Sequence, residues 1–138
     1  MEIKQISVFL ENNAGRLAEV TRVLAEGDIN IRAISIADTA DFGILRLIVD
    51  KSEEAVKSLN AAGFTTRQTS VAAVEISDKP GSLAKVMELF RGNSVNIEYL
   101  YASLEGQAGK AVVIFKLEDH AKGLSIIKEN GLSTIDHF

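Results

Sequence analysis

Apolar residues alternate with polar ones near the start of the chain and then change to helical spacing. Ile6, Val8 and Leu10 recur at every second position, which predicts a strand with one buried face. The apolar residues that follow recur every three or four positions and form one stripe of a helix: Leu17, Val20, Val23 and Leu24. Gly27 and Asp28 indicate the end of that helix.

Two strands, a second helix and a last strand follow. The stretches 29–38 and 42–49 are rich in Ile, Val and Leu and flank a short connection, as in a hairpin. Ser52, with acidic residues behind it, favours a helix start with a hydroxyl cap, and Gly63 favours its end. Because residues 64–76 contain neither Gly nor Pro, we expect the last strand to continue, near Val71, into the next part of the chain.

The whole pattern occurs twice. NNAGRLAEVTRVLAEGDINI, which begins at Asn12, aligns without a gap to DKPGSLAKVMELFRGNSVNI, which begins at Asp78. The second halves also align if two residues are inserted between Glu105 and Gly109. The element order β-α-β-β-α-β predicts an α+β fold of two tandem ferredoxin-like modules. Each module is an antiparallel four-stranded sheet with two helices on one face, and we predict modules at residues 1–70 and 71–138, joined side by side.

Composition and charge argue against several classes of function. The formal net charge is −4 and the pI is near 5.2, so nothing indicates a nucleic-acid surface, which needs clustered Lys and Arg. The chain has no cysteine, no signal-peptide pattern at its start, and no stretch of the roughly 18 apolar residues that a membrane helix needs. We expect a cytoplasmic protein with neither nucleic-acid nor membrane partners.

Candidate catalytic chemistry is sparse. Neither His120 nor His137 has a counterpart in the other copy or a metal-ligand spacing around it, so we expect both at the surface. The acidic pairs that begin each copy's second helix are explained as charges at a helix start. We therefore expect no catalytic residue, no metal and no cofactor, and predict that the chain is not an enzyme.

The most closely repeated feature is the turn before each copy's first helix. We expect Asn12 and Asp78 to cap that helix, and Pro80 suits an early helical position. The glycine of each turn allows close approach to the backbone. Such a turn exposes N–H groups at the positive end of a helix, and these can hold a carboxylate without a dedicated cation.

Here the sequence resembles a known family. DKPGSLAKVMELFRGNSVNI, with its charged pair, Pro-Gly-x-Leu turn, amphipathic helix and Asn-Ile strand start, resembles the ACT domain, the amino-acid-sensing module of many metabolic enzymes. The first copy departs from the pattern at Ala14, where Pro is usual, and at Asn13, where a basic residue is common. The likeness covers nearly the whole chain. It implies that an amino acid binds where two modules meet, between the first-helix turn and a neighbouring second strand.

The resemblance also implies, position by position, which residues contact the ligand. They are Asn12, Asn13, Ala14, Gly15, Arg16, Leu17 and Asn30 in the first copy, and Asp78, Lys79, Pro80, Gly81, Ser82, Leu83 and Asn96 in the second. Because a turn without Pro is less rigid, Ala14 implies that the two sites differ in affinity.

Each of these residues also has a purely structural interpretation. The two glycines suit the turn itself, and the two asparagines suit backbone pairing at a strand start. Leu17 and Leu83 suit the core, and Arg16 suits a solvated surface.

Two other families with this fold fit less well. Acylphosphatases use an Arg in the first turn and a later Asn, as at Arg16 and Asn30, but the second copy has Ser82 and neither turn has the glycine run of a phosphate cradle. RNA-recognition modules need exposed aromatic residues on central strands, where this chain has mainly Ile, Val and Ala.

Two functional hypotheses remain. The first is a free-standing regulatory protein that binds a small amino acid or related carboxylate and forms a homodimer, with the ligand shifting its association with itself or with a metabolic enzyme. The alternative is a structural module that has lost its ligand and acts only by contacting a metabolic enzyme partner.

Overall fold

The computed structural model describes residues 3–11, 13–38, 42–104 and 107–135. The elements in these ranges are β1 (Ile3–Glu11), α1 (Arg16–Glu26), β2 (Ile31–Asp38), β3 (Phe42–Val49), α2 (Ser52–Ala61), β4 (Thr65–Ser77), α3 (Ser82–Gly92), β5 (Ile97–Ala102), β6 (Lys110–Leu117), α4 (His120–Glu129) and β7 (Ser133–Ile135). No helix within these ranges is long and apolar enough to cross a membrane.

The chain divides into two compact units, the first over Lys4–Thr69. Its strands lie in the order β2-β3-β1-β4, and β1 and β2 both run antiparallel to β3. Ile6, Val8 and Leu10 are buried in one core cluster with residues of α1 and α2, so the predicted buried face of β1 is confirmed. Both helices therefore cover the same face of this sheet.

The second unit extends from Ser70 onward and repeats this arrangement. Its strand order is β5-β6-β4-β7, with antiparallel pairing throughout the described registers. Phe90 of α3 packs edge-to-face on Phe115 of β6, with ring centroids 5.4 Å apart, a favourable geometry for two aromatic rings. Ile126 and Ile127 of α4 complete the same core.

Strand β4 is common to both units. It runs without interruption for 13 residues, from Thr65 beside β1 to Ser77 beside β6. The absence of Gly and Pro in this stretch predicts such a continuous strand, and that prediction is confirmed. The α+β fold with two β-α-β-β-α-β modules is confirmed as well.

The second helix of each copy begins differently. Ser52 does not cap α2, because it already lies inside the first turn; the cap position is Lys51, and no side chain caps the helix there. In α4 the cap is Asp119, whose carboxylate accepts a hydrogen bond of 3.1 Å from the N–H of Lys122. His120 follows as the first residue of α4 and is partly buried, not fully exposed as expected. His137 lies outside the described residues.

Candidate functional site

The turns before α1 and α3 have the same backbone conformation. Gly15 has φ 88° and Gly81 has φ 90°, and each is the residue that caps the following helix. This left-handed conformation favours glycine, because a Cβ would crowd the backbone. An added Cβ would meet no atom of the surroundings within 4 Å at either position. The glycines are therefore required by the conformation of the turn, not by a close neighbour.

Hydrogen bonds of the turn are also repeated. The N–H of Asn13 donates to the carbonyl of Glu11 at 2.8 Å, and the N–H of Lys79 donates to the carbonyl of Ser77 at 3.0 Å. The second and third residues of each helix have N–H groups that donate to no acceptor among the described residues. They are Leu17 and Ala18 in the first copy and Leu83 and Ala84 in the second. These groups form the positive end of each helix, as predicted.

The capping residues were predicted incorrectly. Because the cap is the glycine, Asp78 lies three positions before it, and its side chain makes no capping hydrogen bond to α3. Pro80 likewise precedes the helix and is not one of its first residues. A side chain caps well only from the cap position itself, in an extended conformation that a left-handed glycine does not adopt. Asn12 lies outside the described residues.

A cavity of about 190 Å³ opens beside this turn in the first unit. It lies on the helix-bearing face of the sheet, between the start of α1 and the ends of three strands. Its lining combines four residues from the strands and three from the turn and helix: Leu10, Glu11, Ile36 and Gly43, then Asn13, Arg16 and Leu17. The structure thus brings together three of the predicted site residues with four that were not predicted for the site.

Arg16 is held at the edge of this cavity. Its Nη1 donates to a carboxylate oxygen of Glu19 at 3.0 Å, and its guanidinium carbon lies 4.4 Å from the centroid of the Phe64 ring, within the range of a cation–π contact. The Nε of Arg16 is buried and has no hydrogen-bond partner among the described residues. With 28% of its side chain exposed, Arg16 is not the solvated surface charge of the structural interpretation.

The leucine of each turn is not part of the core. Leu17 is 39% exposed and Leu83 is 37% exposed, so the interpretation of both as core residues is wrong. Both lie in the first helical turn, ahead of the buried stripe that begins at Val20 and Val86. In the first unit this leaves Leu17 on the cavity wall, where Ile36, which is 48% exposed, also lies.

Asn30 and Asn96 lie away from these turns. Asn30 follows the far end of α1, a helix of 11 residues, and is therefore about 16 Å from the turn at 1.5 Å per residue. Its backbone N–H donates to the Asp50 carboxylate at 2.9 Å. In the second copy the Asn96 side chain donates to the Glu118 carboxylate at 3.0 Å. These contacts join the start of one strand to the end of its neighbour, which favours the structural interpretation.

Asn30 borders a different cavity. This second cavity, of about 420 Å³, is wide and lies at the far end of α1. Its lining includes Asp28 and Lys51, whose ammonium donates to the Asp28 carbonyl at 2.9 Å. The structure therefore separates Asn30 from the other residues predicted for the first site.

The strand residues of the cavity have counterparts in the second copy. Leu10 pairs with Gly43 across β1 and β3, and Ile76 pairs with Ala111 across β4 and β6. The same alignment matches Glu11, Asn13, Arg16 and Ile36 of the first copy with Ser77, Lys79, Ser82 and Ala102 of the second. These positions were not predicted. The signal for them is the repeat combined with the strand register, because the register shows which strand ends adjoin the turn.

The described residues contain no group of three or more His, Cys, Asp or Glu side chains placed to hold a metal ion.

Comparisons with known proteins agree with this architecture. Residues 1–137 match the family described as ACT domain pair. The crystal structure of a protein from Bacteroides thetaiotaomicron is 39% identical, with a TM-score of 0.92, over 98% of this chain and 92% of that one. No curated protein matches the sequence.

More distant structures share the fold. The ligand-free regulatory subunit of aspartate kinase from Thermus thermophilus is 20% identical, with a TM-score of 0.70, over 95% of this chain and 94% of that one. The corresponding subunit from Thermus flavus is also 20% identical, with a TM-score of 0.64, over 94% and 92% of the two chains. At this identity the likeness concerns the fold alone. With the family match over nearly every residue, the chain belongs to the ACT domain pairs, whose domains are regulatory modules.

Proposed function

We propose that this chain is a regulatory protein, not an enzyme, and that it binds a small amino acid at the turn before the first helix of a module. The observation that carries the proposal is the cavity beside α1, which is lined by Asn13, Arg16 and Leu17 of the predicted turn. The equivalent turn before α3 is proposed as a second, weaker site, because it shares the backbone but not the side chains.

The helix end supplies the attraction for the ligand's carboxylate. The N–H groups of Leu17 and Ala18 have no acceptor among the described residues and point along the positive end of the α1 dipole. Arg16 adds a positive charge beside them. Since a guanidinium has five N–H donors and Glu19 engages only Nη1, Arg16 retains donors for a second carboxylate.

The regulatory effect follows from linkage. We propose that the chain forms a homodimer, with a module of the second copy completing the site. Strands β2 and β5 end the order of the strands, and edge strands of this kind pair readily with another chain. A ligand bound across such an interface stabilises the assembly by its own binding free energy, and so shifts association with a second copy or with a metabolic enzyme.

Thermal unfolding in the presence of each standard amino acid tests the proposal. A ligand at a hundred times its Kd stabilises the folded state by about 2.7 kcal/mol, which raises the Tm by several degrees. Arg16→Ser, which copies the residue of the second unit, should weaken the effect, whereas Arg22→Ser on the exposed side of α1 should not. The proposal fails if no amino acid at millimolar concentration raises the Tm.

An alternative function is contact with a partner protein without any ligand. It is favoured by Phe9 and Phe42, which are 41% and 58% exposed on the side of the sheet away from the helices, as their cross-strand partners Ile44 and Glu11 show. The second copy has Glu75 and Lys110 there. The double variant Phe9→Glu/Phe42→Lys should abolish oligomers in sedimentation if this face is the interface, and a flat amino-acid screen would then favour the alternative.

A further inference from the structure

Strand β4 carries residues of both units. The boundary between the units falls between Thr69 and Ser70, inside an uninterrupted strand that runs from Thr65 to Ser77. We propose that β4 is a coupling element, which passes a change in the stability of one unit to the other, so that the two modules open together.

The start of the strand is anchored in the core of the first unit. Phe64, the residue before β4, is 3% exposed and lies in the same core cluster as Leu59 of α2. Its backbone N–H donates to the Leu59 carbonyl at 3.0 Å. A buried phenylalanine removes about 150–250 Å² of surface from water. This end of β4 therefore cannot leave the first core without exposing a large apolar side chain.

The other half of the strand is anchored in the second unit. Ala72 and Val74 lie in the core cluster of that unit, and both pair with β6. Val71 and Ala73 point to the opposite face of the strand by alternation and are 1% and 2% exposed. The strand is thus buried on both faces directly after the boundary, and fraying that reaches this point exposes apolar side chains.

The stretch between the two anchors has no flexible joint. Residues 65–70 contain no Gly or Pro, and all six have strand conformation. The seven steps from Phe64 to Val71 correspond to about 23 Å of extended chain, at about 3.3 Å per residue. Almost no slack remains to absorb a displacement of one end. A Gly-rich linker of the same length would be a flexible coil, which lets joined domains move separately.

The side chains of this stretch contribute little to either core. All six are polar and either exposed or half-buried: Thr65, Thr66, Arg67, Gln68, Thr69 and Ser70. The hold on the strand therefore comes from its two anchors. A change within residues 65–70 can loosen the connection without removing a buried apolar side chain, so coupling and core packing can be varied separately.

The first anchor adjoins the candidate ligand site. The guanidinium carbon of Arg16 lies 4.4 Å from the centroid of the Phe64 ring, one residue ahead of β4. A ligand that stabilises the first unit would then also stabilise the second, which is a positive coupling between the modules. This regulatory use rests on the proposed function, whereas the coupling itself can be measured without any ligand.

Hydrogen–deuterium exchange of the full chain, followed by mass spectrometry, tests the coupling. Leu59→Ala removes a fully buried side chain from the first core. If the units open together, the most protected amides of β6, in the second unit, should exchange at least about tenfold faster, as should those of β3. Ile127→Ala, at a fully buried position of the second core, is the reciprocal variant and should speed exchange in β3.

Two insertions of equal length decide whether β4 carries the effect. Gly-Ser-Gly-Ser placed between Thr69 and Ser70 gives the strand a flexible joint and removes no side chain. The same insertion between Gln107 and Ala108, in an exposed turn of the second unit, is the matched control. With the strand insertion, Leu59→Ala should change β6 exchange by no more than about twofold, as expected for independent sites. With the turn insertion, the transmitted effect should remain.

A second variant covers the case in which the strand insertion prevents folding. Thr69→Gly/Ser70→Gly loosens the strand at its existing length, because glycine weakens a strand interior. It should reduce the effect of Leu59→Ala on β6 and leave the effect on β3 in place.

Each outcome supports or overturns the proposal. A transmitted effect that the loosened strand reduces and the turn insertion preserves supports it. Faster exchange confined to the unit that carries the substitution overturns it. A transmitted effect that survives in the loosened strand, or that both insertions remove alike, also overturns it, because the coupling would then not run through β4. A flat amino-acid screen would not alter these measurements, so this inference and the amino-acid-binding function fail separately.

Discussion

The turns before α1 and α3 share a backbone and differ in the side chains around it. Around the first turn, Arg16 pairs with Glu19 and packs on Phe64. The corresponding positions of the second copy hold Ser82, Lys85 and Leu132. The cation, its acidic partner and its aromatic platform are thus present together in one copy and absent together in the other. The three residues therefore vary as a group, and the backbone of the turn forms equally well without them.

The cores of the two units show the same coupling in residue size. Ala55 and Val49 are buried in the first core. Their counterparts are Gly123, also buried, and Leu117, which is fully buried. A Cβ added at Gly123 would overlap the Leu117 side chain. The larger residue on the strand is therefore accompanied by the smaller residue on the helix.

The largest expected effect comes from breaking this size match. Gly123→Ala should lower the free energy of unfolding by up to about 2 kcal/mol, because overpacking costs about 1–3 kcal/mol and the gain in helix propensity returns at most about 1 kcal/mol. Adding Leu117→Val recreates the pair of the first unit and should restore stability at least to that of the original chain. Denaturant unfolding of both single variants and the double variant measures the coupling. Strictly additive effects would contradict the compensation.

The shared backbone predicts a smaller effect that is equal in both copies. Gly15→Ala and Gly81→Ala should each lower stability by about 1–2 kcal/mol, the cost of a left-handed non-glycine residue. Gly92→Ala at the end of α3 is the matched control, because it also has open space around it and no positive φ, and it should be neutral or slightly stabilising. Clearly unequal losses at positions 15 and 81 in chemical denaturation would show that the turns differ in more than side chains.

The repeat and the hydrophobic pattern were sufficient to predict the two modules, the continuous β4 and the position of each turn. The roles of the side chains at the turns were harder to predict, because a repeated leucine has the same spacing whether it is buried or exposed. Leu17 is exposed because it lies one helical turn before the buried stripe. Glu11, Ile36 and Gly43 join the cavity through strand register. That register relates residues far apart in sequence, and no local pattern reveals it.

Asn30 illustrates the other limit of the sequence analysis. It was assigned to the turn site through the family resemblance, but its distance from Gly15 along α1 is set by the length of the helix. A motif that spans a whole helix necessarily places its two ends apart. Within one module Asn30 is therefore apart from the turn, and its contact with a ligand held between two modules stays a prediction.

A modest effect should distinguish the two arginine positions. Arg16→Ser should lower the free energy of unfolding by about 0.5–1 kcal/mol, since it removes a cation–π contact and a partly exposed ion pair. Ser82→Arg should bring no gain, because Lys85 and Leu132 offer neither an acid nor a ring. In urea unfolding, a stabilising Ser82→Arg would contradict the view that Glu19 and Phe64 are what makes the arginine favourable.

The smallest effects are expected at the asparagines that follow α1 and α3. Asn96→Ala should lower the free energy of unfolding by about 0.5 kcal/mol, because it removes one exposed hydrogen bond to Glu118. Asn30→Ala should change it less, since Asn30 donates its backbone N–H to the Asp50 carboxylate and the substitution keeps that group. Neither variant should alter amino-acid affinity in titration beyond twofold, whereas Asn13→Ala should weaken it, because Asn13 lines the cavity beside α1. Equal losses for Asn30→Ala and Asn13→Ala would instead place the ligand at the cavity beside Asp28, at the far end of the helix.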